Sequence, residues 1–109
     1  MDYLFYMPPP DLTGVWEGGK AETEFKEGVS IFKFERVGDK AAFSICDNPT
    51  AHRAALGGLR RGWMSIVTQS ETFAPASSQG IKNEKPGKAE LLPDGNWKVV
   101  DKARISFLD

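Results

Sequence analysis

The stretch that most constrains the fold is the C-terminal one, from Leu91 to Phe107. Trp97, Val99, Ala103, Ile105 and Phe107 are apolar at odd positions, while Lys98, Lys102, Arg104 and Ser106 are polar at even ones, with Val100 the exception. Alternation with period 2 marks a strand with one face on a core and the other in water. Pro93-Asp94-Gly95-Asn96 ahead of it supplies turn residues, so the segment reads as a β-hairpin with a long second strand. Asp101 breaks the pattern, because it falls on the apolar face. A carboxylate there must be paired, wetted or protonated, since burying a bare charge is very costly. Asp101 is therefore the candidate catalytic residue, a base at the bottom of an apolar cavity. A β-bulge after Val99-Val100 would instead return it to solvent, and Arg104 or a lysine would neutralise it.

A second hairpin is expected where Val29–Arg36 and Ala41–Cys46 flank Val37-Gly38-Asp39-Lys40. Phe32 and Phe34 share one face of its first strand, and Val29 and Ile31 the other, a pattern of burial on both sides. The helix signal follows directly. Asn48 is a capping residue, Pro49 suits the first helical position, and Gly57-Gly58 are expected to end a short helix over about 49–58. Such a helix must pack on the sheet, being too short to persist alone. Residues 63–73 read as a strand, and 74–88 as a flexible loop. Tyr3 to Met7, stopped by three prolines, reads as an N-terminal strand or arm packed on the rest of the domain, or else as an exposed arm that docks on a partner subunit, over residues 1–10. The sum is a single domain over 1–109 of the α+β class: a curved antiparallel sheet of about six strands with one short helix. The three tryptophans, Trp16, Trp63 and Trp97, are expected to begin or end strands and to gather near the core.

Leu12-Thr13-Gly14-Val15-Trp16-Glu17-Gly18, with a Gly two residues before a Trp at the first strand, resembles the opening of the lipocalins and related small β-barrels. In that family the Trp helps to close the barrel end. Asp94-Gly95-Asn96-Trp97-Lys98-Val99-Val100 resembles the closing strands of the cone-shaped SnoaL and nuclear-transport-factor-like domains. Each resemblance covers seven residues, and the chain lacks the long opening helices of the second family. No ligand is carried across from either.

Composition narrows the function classes. The chain has 109 residues, 40% hydrophobic and 27% charged, with a formal net charge of −1. No whole-molecule field therefore favours nucleic acid, and no apolar run approaches the roughly 20 residues that cross a bilayer. Neither nucleic acid nor a membrane is expected as a partner. One cysteine, Cys46, and one histidine, His52, make neither an internal disulfide nor a zinc site of the usual kind. No metal and no cofactor is expected, and a reduced, cytoplasmic setting is the default. Residues 49–63 carry His52, Arg53, Arg60 and Arg61 with no acid, and Trp63 closes the stretch. These five residues are the candidate ligand-binding set, suited to an anion beside Gly57-Gly58.

Side chains suited to catalysis are scarce, so the favoured function is a non-enzymatic binding domain. It would hold a small apolar or anionic ligand, or a protein partner, on the curved sheet. The alternative is a small cofactor-free enzyme of isomerase or hydratase type with Asp101 as base. Self-association through the N-terminal arm or an edge strand is a further expectation.

Overall fold

The computed structural model describes residues 2–70 and 80–108, with side chains for 3–70 and 80–107. The fold is α+β. In chain order the elements are β1 (Asp2–Met7), β2 (Val15–Trp16), a 3-10 turn (Gly18–Lys20), β3 (Phe32–Val37), β4 (Lys40–Ile45), α1 (Pro49–Arg61), α2 (Trp63–Val67), β5 (Thr68–Gln69), β6 (Gly80–Lys85), β7 (Gly87–Leu91), β8 (Trp97–Asp101) and β9 (Ala103–Leu108). Six strands form an antiparallel sheet in the order β1-β3-β4-β7-β8-β2, curled into a half-barrel. The other three form a small sheet, β5-β9-β6, in which β5 lies parallel to β9.

Residues 80–108 are one long bent hairpin that belongs to both sheets. Its outer half is β7 with β8, its inner half β6 with β9, and the chain crosses between them at Pro86 and Lys102. Proline has no N–H to give a ladder, which suits a position between two sheets. Where β7 turns away, β4 loses its neighbour on that side after Phe43, opposite Gly87, while β3 stays paired as far as Ile45. Asn83 takes over. Its Oδ1 accepts from the Ile45 N–H at 3.1 Å and its Nδ2 donates to the Ile45 carbonyl at 2.9 Å.

The inner face of the sheet carries Phe5, Met7, Phe32, Phe34, Phe43, Ile45 and Trp97, all buried. Trp16, directly opposite Trp97 across β2 and β8, is 1% exposed. Its ring lies 4.9–5.4 Å from those of Phe32, Phe34 and Phe43. The indole N–H has no hydrogen-bond acceptor among the described residues, so those ring faces are its surroundings. Ala51 and Ala55 of α1 and Trp63, Met64 and Val67 of α2 complete this core. The concavity of the half-barrel is thus filled by aromatic side chains.

Three boundaries differ from the sequence reading. The helix does not stop at Gly57-Gly58 but runs to Arg61, where Gly62 in the left-handed region (φ 90°) ends it. Gly58 stays helical because the Trp63 ring packs on it; a Cβ there would sit 2.3 Å from that ring. The contact outweighs the roughly 1 kcal/mol that glycine costs inside a helix. Second, the strand expected over 63–73 is α2 as far as Val67, and only Thr68–Gln69 are strand, so Trp63 opens a helix. Tertiary packing overrides the β-branched composition here, since Trp63, Met64 and Val67 all bury at helical spacing. Third, residues 80–88 of the expected loop are β6 and the start of β7; the remainder, 74–79, lies outside the described residues, as do 71–73. At the N-terminus, residues 2–7 pair with β3 along their whole length as an edge strand of the sheet.

Candidate functional site

Asp101 owes its position to a bulge. Ala89 pairs with Val99 but Lys88 pairs with Asp101, so β8 carries one extra residue, Val100, opposite β7. A compensating shift lies beyond the bend, where Asn83 pairs with Ile105 and Lys85 with Arg104, leaving Glu84 extra on β6. One residue gained on each strand restores the register, so the alternation is reset only over 100–104. Asp101 therefore faces water opposite Lys88, although its position in the sequence is in phase with Trp97 and Val99. Ala103 and Ile105 return to the core on the second sheet.

The set on and after α1 divides between two environments. Asn48 caps the helix by accepting from the N–H groups of Thr50 at 2.9 Å and Ala51 at 3.2 Å. The orientation that follows turns His52 inward and Arg53, Arg60 and Arg61 outward to solvent. The His52 Nδ1 accepts from the Ile81 N–H at 3.3 Å, and its Nε2 lies 3.9 Å from an Asp47 carboxylate oxygen. His52 thus ties α1 to β6. Trp63 is buried against Phe32 and Gly58. The grooves of about 230, 300, 350 and 540 Å³ are lined by none of these five side chains. Cys46 is a buried free thiol whose pKa burial pushes up to about 11, which makes it a poor nucleophile at neutral pH.

The open end of the half-barrel brings together residues that the sequence did not single out. β1 and β3 pair Phe5 with Phe34 and Tyr3 with Arg36, so Tyr3, Phe5, Phe34 and Arg36 share the inner face. Trp97 of β8 reaches the same place from the far side, 5.8 Å from Phe5 and 6.0 Å from Phe34 between ring centres. The Arg36 guanidinium is held between two aromatic faces, 5.1 Å from the centre of the Tyr3 ring and 5.3 Å from that of Trp97. Its Nε donates to the Gly38 carbonyl at 2.5 Å, and one terminal nitrogen donates to the Tyr3 hydroxyl. These contacts leave further N–H donors of the five-donor fork in an open cleft of about 300 Å³.

Tyr3, Phe5, Leu91 and Trp97 form the apolar walls of that cleft, and Glu22 and Thr23 part of its polar rim. Among the described residues no carboxylate lies within 4.0 Å of Arg36, and Glu22 is engaged with Lys26 at 3.2 Å. The cleft therefore offers a planar cation, tethered to the Gly38 carbonyl and the Tyr3 hydroxyl, beside apolar surface. The signal was present in the sequence: Arg36 is in phase with Phe32 and Phe34, a cation at the end of the buried face of a strand.

A larger groove, about 540 Å³, lies on the outer face of the same sheet, over Ala42 and between Val37 and Val100. Among the described residues no group of three His, Cys, Asp or Glu side chains is placed to hold a metal ion, and no helix is long and apolar enough to cross a membrane. Comparison with protein-family models, with curated proteins and with solved structures finds no match for this chain.

Proposed function

We propose that this is a non-enzymatic binding domain that holds the anionic group of a small ligand on Arg36, at the open end of its curled sheet. The observation that carries this reading is the Arg36 guanidinium, 5.1 and 5.3 Å from the ring centres of Tyr3 and Trp97, with no carboxylate partner among the described residues. Hydrogen bonds to the Gly38 carbonyl and the Tyr3 hydroxyl orient the guanidinium, and an oriented fork of N–H donors matches a carboxylate or a phosphate bidentately. Tyr3, 45% exposed, and the half-buried Leu91 supply surface for an apolar body attached to that anion, with the buried Phe5 and Trp97 beneath them. At about 300 Å³ the cleft lies at the small end of ligand sites, so the ligand is of a few rings at most.

The aromatic-filled core and the exposed Asp101 weigh toward binding rather than toward an isomerase or hydratase with Asp101 as base. A cytoplasmic setting belongs to the same reading, in keeping with a buried free thiol.

Benzoate and benzyl alcohol, which share a ring and differ in charge, test the proposal by calorimetric titration. Benzoate is expected to bind, and benzyl alcohol to bind at least about tenfold more weakly, the loss of one charge-assisted contact. Arg36→Gln should abolish the difference. Equal binding of the two compounds, or a charge preference that survives Arg36→Gln, overturns the reading.

A further inference from the structure

The outer face of the six-stranded sheet carries two rows of side chains that cross the strands. Strand pairing puts Glu35, Ala42, Lys88 and Asp101 in one row, and Val37, Lys40, Glu90 and Lys98 in the next. Val100, the bulge residue, stands beside Asp101. Lys40 lies directly opposite Glu90, Lys88 opposite Asp101, and Glu90 opposite Lys98. Opposite charges in such positions ordinarily pair across a sheet. Here none of these couples closes to within 4.0 Å. Glu35 reaches Lys33 of its own strand at 3.9 Å, while Lys40, Lys88, Glu90 and Asp101 stand apart as walls beside Ala42, Val37 and Val100, and the space between them is the 540 Å³ groove. Val37 is 63% exposed, Val100 55% and Leu4, opposite Glu35 on β1, 43%, large apolar exposures among the charges of this face.

We infer that this face is the interface of a homodimer. A two-fold axis lying between two facing sheets and running across the strands sets the first row of one copy on the second row of the other. Glu35 then meets Val37 of the second copy, Ala42 meets Lys40, Lys88 meets Glu90, and Asp101 meets Lys98. The Lys40 above Ala42 stands next to Glu35, so each of the three acids gains a lysine and each lysine an acid. The three acids and three lysines balance in charge within one copy, which suits a surface that must complement itself. Ala42 lies between these charged pairs, and the exposed Val37 and Val100 stand at opposite ends of the rows, where the facing copy covers them. The other route to self-pairing, through the β1 edge, is partly closed because the N–H and C=O of Tyr6 are already bonded to Glu22.

The experiment is sedimentation equilibrium on the full chain, with four variants whose fold is checked by circular dichroism. The wild type is expected to dimerise with concentration, and more weakly as salt is raised. Glu90→Lys puts like charges together twice across the two-fold axis and should weaken the dimer at least about tenfold. Lys88→Glu should do the same, and the double swap Lys88→Glu/Glu90→Lys should restore it. Val100→Glu should abolish it. A chain that stays monomeric from micromolar to millimolar concentration overturns the inference, and so does a dimer that is indifferent to Glu90→Lys. A double swap no stronger than its single variants also overturns it, since it would show that Lys88 and Glu90 do not meet.

Discussion

Gly57 and Gly58 are neighbours in α1, yet alanine at the two positions should act in opposite directions. A Cβ at Gly57 meets no atom within 4 Å, and the residue is exposed. Gly57→Ala therefore gains helix propensity and nothing else, about 1 kcal/mol. For a chain of this length that raises Tm by about 4 °C. A Cβ at Gly58 would stand 2.3, 2.4 and 2.8 Å from three ring carbons of Trp63. The ring must withdraw by about 1 Å to reach ordinary contact distance. It cannot do so freely, because Trp63 is buried and meets Phe32 edge-on at 6.0 Å. Overpacking of this kind costs about 1–3 kcal/mol, against the same propensity gain of about 1 kcal/mol. Gly58→Ala is thus neutral to destabilising, and the gap between the two variants should be about 4–12 °C in Tm. Thermal unfolding followed by circular dichroism and by tryptophan emission measures both. Equal stabilisation by the two substitutions would mean that Trp63 does not pack on Gly58, and the account of why α1 continues through its glycines would fail.

Other consequences follow from single side chains. Asn83→Ala removes both hydrogen bonds to Ile45 and should cost about 1–3 kcal/mol in urea unfolding; a loss near zero would show that water replaces the amide fully. The Asp11 carboxyl is held below its usual pKa, chiefly by the Thr13 hydroxyl and further by the N–H groups of Val15 and Thr13. Its contribution is present above the ordinary carboxylate range near pH ~4 and is lost as pH falls through the lower folded value. Wild type should therefore lose more stability than Asp11→Asn between about pH 5 and pH 2, and equal losses would contradict the assignment. The Cys46 thiol, raised to about 11 by burial, should react slowly with a disulfide reagent at neutral pH and quickly once urea opens the domain. Rapid labelling of the native protein would show that the thiol is accessible.

How much of this was legible in the sequence depends on the range of the interaction that decides each element. The Asn48 cap, Pro49 and the Val37–Lys40 turn act within a few residues, and all three appear where expected. α2 was misread because Trp63 and Val67 suit either period over so short a run, and only their packing against α1 and the sheet chooses the helix. Gly57-Gly58 looked like a helix end because a packing partner five residues on, reached after a left-handed turn at Gly62, is invisible to local propensity. Asp101 shows the limit in register. Its phase with Trp97 and Val99 is correct as counting, but one bulge residue reverses the face, and that bulge exists because the hairpin must bend into a second sheet. Arg36 was in phase with Phe32 and Phe34 all along; its meaning rests on Tyr3 and Trp97, 33 residues and 61 residues away along the chain.

The central claim is that Arg36, and not the arginines of α1, receives an anion. The most direct measurement is the nitrogen-15 spectrum of the arginine Nε–H groups and the tryptophan indoles during titration with benzoate. The account predicts saturable shifts of Arg36 and Trp97, with Arg53, Arg60 and Arg61 still. Shifts confined to the α1 arginines, or no saturable shift at Arg36, would contradict it.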